Sequence, residues 1–252
     1  MIDNKVTHLN KYLYYTINPT EQMFKQLAGF LYYLAKTKGN KQTLVLPRFE
    51  LKGKFYDYSK FYNEKLIKDN FNVISYEEHV GIDDVEQITD YELNVFNQLP
   101  ASSPNYLFFR NYIEYNSEYY EEVDTILKGR EKYIATHWRQ DDFLRIRPQK
   151  TMSVDELIED CLLKLDAHNV DRLYISTDCK DKEKLRHIKS KLPIFSVDKI
   201  PYSKIDFSII ESLICARSVY FTGTETSLYT ANIIGERLKA GYNNEDQEIK
   251  RL

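Results

Sequence analysis

Cysteine is scarce in this sequence. Its three cysteines, Cys161, Cys179 and Cys215, are far apart, odd in number and outside any CxxC spacing, which excludes a disulfide framework and a zinc knuckle. The expectation is a reducing compartment and a cytoplasmic protein of bacterial or viral type. Long apolar runs are missing too. No stretch approaches the roughly 18 to 20 apolar residues of a membrane span, and MIDNKVTHLNKYLYY lacks the apolar segment of a signal sequence. A soluble chain with no membrane span is expected. Neither sign of charge dominates: 35 Lys and Arg against 38 Asp and Glu leave a net charge of −3. Without a basic arm or stripe, a nucleic-acid partner is not expected. The sequence contains no GxGxxG, no GxxxxGK(S/T) and no GxSxG, so the phosphate turns of dehydrogenases and P-loop enzymes and the hydrolase elbow are excluded. There is no isolated DxD. Asp141 and Asp142 diverge on an extended chain with no third ligand at a supporting spacing, so neither a metal nor a cofactor is expected.

What is present is an alternation of strands and helices. Asn18-Pro19-Thr20 reads as a helix start, with Met23, Leu27, Phe30, Leu31 and Leu34 on one face and Gly39 at the stop. The strand Thr43-Leu-Val-Leu-Pro47 follows. Residues 48–130, rich in Tyr and Asn, show only a strand at 71–75 and a helix at 117–128. From Lys132 the pattern is regular, with strands at 133–136, 172–176, 193–197 and 218–221. Helices are expected at 153–165, 180–191, 206–217 and 225–239. Ser153-x-x-Glu156 spells a capping box. The stripe Val154, Leu157, Ile158, Cys161, Leu162 and Leu165 marks that helix's buried face. This pattern predicts α/β architecture with a parallel sheet covered on both faces, a domain boundary at 130/131 and a frayed polar tail after residue 240.

Polar clusters follow three of the strands: His137 and Arg139, Thr177-Asp178, and Thr222 to Ser227. In a doubly wound sheet the carboxyl ends of the strands line one crevice. There, helix-start N–H groups, turn hydroxyls and an arginine fork supply the donors that a diphosphate needs. Each residue alone also reads as a helix cap or an interior hydrogen-bonded group. The 21 tyrosines carry no ligand information, because an interleaved Tyr is commonly half-buried scaffold.

HxRxxDF at His137 to Phe143, Ser176-Thr-Asp178, and the run from Asp206 through Ala216-Arg-Ser-Val-Tyr-Phe-Thr-Gly-Thr-Glu-Thr-Ser227 resemble the GDP-fucose fucosyltransferases, most closely the protein O-fucosyltransferase group. The resemblance covers the C-terminal half well and the first 50 residues loosely. It implies a GT-B fold of two Rossmann-like lobes, residues 1–130 on the acceptor side and 131–252 binding the nucleotide-sugar. It also implies inverting, metal-independent transfer of fucose from GDP-fucose to a glycan or protein hydroxyl. By the resemblance Arg139 grips the β-phosphate and stabilises the leaving GDP. His137 contacts the nucleotide, Asp206 reads guanine, Thr224, Thr226 and Ser227 hold phosphates, and Asp178 supports the site.

The sequence departs from the family at Ile17-Asn18-Pro19-Thr20-Glu21, where a glycine-rich turn is expected and no glycine occurs. Glu21 is a candidate general base and Asn18 a candidate acceptor contact, and both also read as helix-start residues. Two alternatives stay open: a nucleotide- or carbohydrate-binding protein without chemistry, and transfer from a different GDP-sugar.

Overall fold

The computed structural model describes residues 11–16, 22–88, 104–146, 148, 151–197 and 202–250. The chain divides into two compact units, Met1–Asn116 and Ser117–Leu252. The second unit begins earlier than the expected 130/131 boundary, because the helix at 117–127 belongs to it.

In the first unit, in chain order, lie β1 (Tyr12–Tyr15), α1 (Met23–Asn40), β2 (Thr43–Val45), the hairpin strands β3 (Arg48–Leu51) and β4 (Lys54–Asp57), α2 (Glu64–Asn70), β5 (Val73–Ile74), α3 (Tyr76–His79), β6 (Val85–Ile88) and α4 (Pro104–Arg110). Strands pair in the order β5-β2-β1-β6, all parallel. The stripe expected on α1 is buried throughout. That helix runs one residue past Gly39 and closes on Lys41, which takes a left-handed conformation (φ 57°). The β3–β4 hairpin turns on Lys52 and Gly53, both at positive φ (55° and 73°), the backbone that matches strand twist in a two-residue turn. Much of the remaining core is aromatic. Phe49, Tyr58, Phe61, Tyr62, Tyr106 and Tyr115 are all buried, and Arg110, fully buried beside Tyr115, donates to the Ile113 carbonyl at 2.6 Å.

The second unit contains α5 (Ser117–Leu127), β7 (Ile134–Trp138), α6 (Asp141–Ile146), α7 (Val154–Ala167), β8 (Leu173–Thr177), α8 (Lys182–Lys191), α9 (Lys204–Arg217), β9 (Tyr220–Thr224), α10 (Leu228–Lys239) and β10 (Gln247–Lys250). The sheet order is β10-β9-β7-β8, again all parallel. All five residues of β7 are buried, and the period of two sorts them. Ile134 and Trp138 join Leu157, Cys161, Leu165, Leu173 and Ile188 in one core. Tyr133 and His137 point the other way, to the Ile214 carbonyl on α9 and to Thr230 on α10. A strand buried on both faces is what the apolar run at this position predicted.

The capping box forms as spelled: Ser153 Oγ accepts from Glu156 N (3.2 Å) and Glu156 Oε2 accepts from Ser153 N (2.7 Å), a cap of about 1 kcal/mol. Three expectations are corrected. Leu162, assigned to the buried stripe of α7, is 48% exposed. The strand at 193–197 reduces to a single parallel bridge, Leu173 to Ile194. The tail after residue 240 is not frayed, because β10 adds an edge strand to β9. Arg237, fully buried, holds it there through the Asp246 carbonyl (2.8 Å) and Gln247 Oε1 (3.2 Å) while also donating to the Ser218 carbonyl (2.6 Å).

Candidate functional site

The chain leaves β7 for β8 on one side and returns as β9 on the other. The carboxyl ends of β7 and β9 therefore flank a topological switch point, where open α/β sheets bind ligands. The backbone register of this pair ends at Thr136 opposite Thr222. Beyond it a side chain continues the pairing. Thr224 Oγ1 donates to the His137 carbonyl (2.7 Å) and accepts from Arg139 N (3.2 Å). The Thr224 hydroxyl, expected on a phosphate, is thus engaged in joining the two strand ends.

Gly223 permits the close approach of α10. A Cβ there would lie 2.3 Å from Thr230 Cγ2. Thr230 Oγ1 accepts from Thr224 N (3.1 Å) and bonds His137 Nδ1 (2.8 Å). Thr230 thereby fixes the orientation of the His137 imidazole. Burial, with the neighbouring Arg139 charge as a second cause, lowers its pKa to about 3. The Tyr229 ring lies 4.8 Å from the imidazole, and the Tyr229 hydroxyl donates to the Ser208 carbonyl on α9 (3.3 Å).

Thr226 takes φ 62°. A β-branched residue in that region is strained by about 1–3 kcal/mol, a cost that collects at functional sites. Ser227 caps α10, its Oγ accepting from Thr230 N (3.4 Å). The N-terminus of this twelve-residue helix thus opens on the crevice with its partial positive charge.

Arg139 sits across from it, its side chain 16% exposed. One oxygen of Asp178 pairs with Arg139 Nε (3.2 Å), and the other accepts from Gln140 N (2.7 Å) and Asp141 N (3.4 Å). Phe143 supports the guanidinium from one side, its ring centre 5.7 Å from the central carbon. Asp178 therefore fixes the fork through Nε and starts α6 at once.

Beside Asp178 lies a cavity of about 190 Å³, lined by Thr177, Cys179, Phe195, Phe207 and Glu211 among others. Its walls are largely apolar, with one carboxylate. Asp206, expected to read the base, is not among the lining residues. It stands in the first turn of α9, where its two oxygens accept from the hydroxyls of Tyr119 (2.7 Å) and Ser203 (2.6 Å). Glu211, missed in the sequence, lines the cavity instead and accepts from the Tyr174 hydroxyl (3.0 Å). Tyr229 and Thr230 were missed as well, hidden inside a helical pattern. Asn18 and Glu21 lie outside the described residues. Among the described residues no group of three or more His, Cys, Asp or Glu side chains is placed to hold a metal ion, and no helix is long and apolar enough to cross a membrane. A second cavity, about 550 Å³ and lined by Lys132, Leu165, Asp166, Asn169, Val170 and Asp171, lies at the opposite, amino end of the strands.

No protein-family model matches the chain. It is 32% identical over 150 residues to GDP-fucose protein O-fucosyltransferase 2 of Plasmodium berghei (strain Anka), covering 57% of this chain and 31% of that protein. It is 27% identical over 117 residues to the protein of the same name from Caenorhabditis elegans, covering 44% and 27%. The matches thus span less than a third of these relatives. Among solved structures, POFUT1 in complex with GDP-fucose superposes with a TM-score of 0.70 at 14% identity, covering 97% of this chain and 98% of that one. The NodZ α-1,6-fucosyltransferase co-crystallised with GDP gives 0.56 at 12% identity, covering 89% and 92%. The chain has the fold of these fucosyltransferases, the GT-B class of two Rossmann-like units. The resemblance to the protein O-fucosyltransferase group stands in both sequence and structure.

Proposed function

We propose that this chain is a glycosyltransferase that moves fucose from GDP-fucose to a glycan or protein hydroxyl, with inversion and without a metal. One observation carries the reading: a fixed arginine fork and the N-terminus of α10 face one crevice at the switch point between β7 and β9. Relatives named as GDP-fucose transferases and a neighbour holding GDP-fucose supply the donor's identity.

In this reading the base enters the cavity beside Asp178. Glu211, rather than Asp206, accepts from the guanine N–H donors, because it is the carboxylate that lines the cavity. The diphosphate lies between Arg139 and the helix start at Thr226 and Ser227. The acceptor oxygen attacks the anomeric carbon as its bond to the β-phosphate oxygen breaks. Negative charge grows on the departing GDP, and a preorganised guanidinium and helix dipole stabilise it without reorganising. Such counter-charge does the work that a divalent cation does in metal-dependent transferases. His137, kept neutral by burial, adds no second full charge beside Arg139. Removal of the acceptor proton is assigned to Glu21, with Asn18 on the acceptor side, the polar residues this chain carries where the family has its glycine-rich turn.

Calorimetric titration with GDP, UDP and ADP in EDTA, followed by release of GDP from GDP-fucose, tests the reading. GDP-selective binding that survives EDTA, with turnover abolished in a folded Arg139→Ala variant, is expected. Binding without any turnover would leave a nucleotide-binding protein, and a response only to UDP with a divalent metal would sink the donor assignment.

A further inference from the structure

The first unit carries a second constellation that the donor reading does not use. It gathers at the carboxyl ends of β1, β2 and β5, three adjacent parallel strands. Tyr14 comes from β1, Arg48 follows β2, and Tyr76 and His79 belong to the short helix after β5. The His79 ring stacks on Tyr14 at 5.2 Å with an interplanar angle of 23°, and Tyr76 lies 4.7 Å from His79 and 5.7 Å from Tyr14. All three rings are half-buried.

Arg48 completes the group. Its guanidinium lies 4.9 Å from the Tyr76 ring centre and 5.3 Å from that of Phe55, and its Nε lies 2.9 Å from Asp57 Oδ1, an ion pair without hydrogen-bond alignment. Its two terminal nitrogens have no partner among the described residues, and its side chain is 34% exposed. Phe55, which braces it from the hairpin, is 57% exposed. An arginine clamped in this way has already lost its rotamer freedom, so its fork binds at low entropic cost. His79 adds the opposite polarity. Its Nδ1 donates to the Tyr76 carbonyl, which leaves Nε2 of the neutral ring as an acceptor.

We infer that Tyr14, Tyr76, His79 and Arg48 form a glycan-binding platform that takes a pyranose ring. Flat aromatic faces suit the apolar C–H face of a pyranose, and a rigid two-nitrogen fork suits two adjacent ring hydroxyls. A single acceptor nitrogen beside the stack accepts a hydrogen bond from a third. An apolar ligand would leave the fork and Nε2 unpaired. An acidic peptide would use the fork but not the ring faces. Half-buried aromatics with a few convergent polar groups are the general composition of small-ligand sites, and the ends of parallel strands are where such sites collect. The inference stands on the first unit alone and does not depend on the nucleotide reading.

The test is saturation-transfer NMR on the full chain with a panel of methyl pyranosides and short oligosaccharides, alongside GDP titrations on the same samples. At least one saccharide should receive saturation on its ring protons. Arg48→Ala and Tyr76→Ala should each weaken that binding about tenfold with GDP affinity unchanged, and Tyr76→Phe should retain it. Phe55→Ser, at an exposed position that the fold tolerates, should weaken it by loosening Arg48. No saccharide binding at millimolar concentration, binding that survives all three losses, or capture of acidic peptides in place of sugars would overturn the assignment. An unchanged GDP response in those samples would keep the donor reading apart from that failure.

Discussion

Asp178 makes one bond to Arg139 and two to the start of α6, so its two oxygens have separable jobs. Asp178→Asn keeps an acceptor for the helix start but loses the charge that orients the guanidinium. We expect turnover to fall on the order of tenfold with the melting temperature nearly unchanged, whereas Asp178→Ala should lower both. Steady-state kinetics and thermal melts on the two variants distinguish these outcomes. His137 carries a pH signature. Its folded pKa of about 3 lies below the ordinary value of 6.5, so the unfolded chain binds the proton more tightly. The stabilisation is present above pH 6.5 and is lost as pH falls toward 3, in all on the order of 5 kcal/mol. Denaturation curves across this window should steepen by one proton's worth of slope in the wild type, and His137→Gln should remove that increment.

At the scale of elements, the contact between β9 and α10 is the tightest constraint near the crevice. Gly223→Ala drives a methyl against Thr230 and should cost roughly 1–3 kcal/mol in urea unfolding. Donor affinity should fall as well, because Thr230 positions both His137 and Thr224 N. Thr230→Val keeps the volume but removes the hydroxyl that serves both groups. Leaving a buried amide and an imidazole nitrogen unpaired should destabilise by about 1–3 kcal/mol for each, read in the same experiment. The longer helices of the second unit were legible because capping signals and apolar stripes agreed, as at Ser153 and Leu157, whereas the short helix Asp141–Ile146 was not. β10 was not legible, since an edge strand reading Gln-Glu-Ile-Lys has one exposed edge and no apolar run, and a buried arginine ten residues earlier in the chain decides its place. The strand ends of the first unit were hard to read for another reason. β5 is two residues long, and its core is filled by tyrosines whose spacing follows neither helical nor strand period.

For the molecule as a whole, GDP at a hundredfold excess over its dissociation constant should raise stability by about 2.7 kcal/mol. Hydrogen exchange should show the added protection at residues 137–141, 176–179 and 222–230. Protection confined to the amino ends of the strands, around Lys132 and Asp171, would place the ligand in the other cavity. The polar strand-end residues of this crevice were visible in the sequence because they interrupt apolar runs. Glu211 was not, because a carboxylate in mid-helix looks like solvent-facing charge until the neighbouring elements enclose it.

The central strand β7 draws its two neighbours from distant parts of the chain, β8 from beyond one helix-bearing crossover and β9 from beyond another. Pairings of long sequence separation form late, after the loops that close them have lost their freedom. The side-chain link from Thr224 to the end of β7 can form only once that last pairing is in register. During refolding, secondary structure should therefore return first, and the ability to hold a nucleotide should reappear only with the slowest kinetic phase. Ligand capture in this protein is then a clock for the completion of its fold.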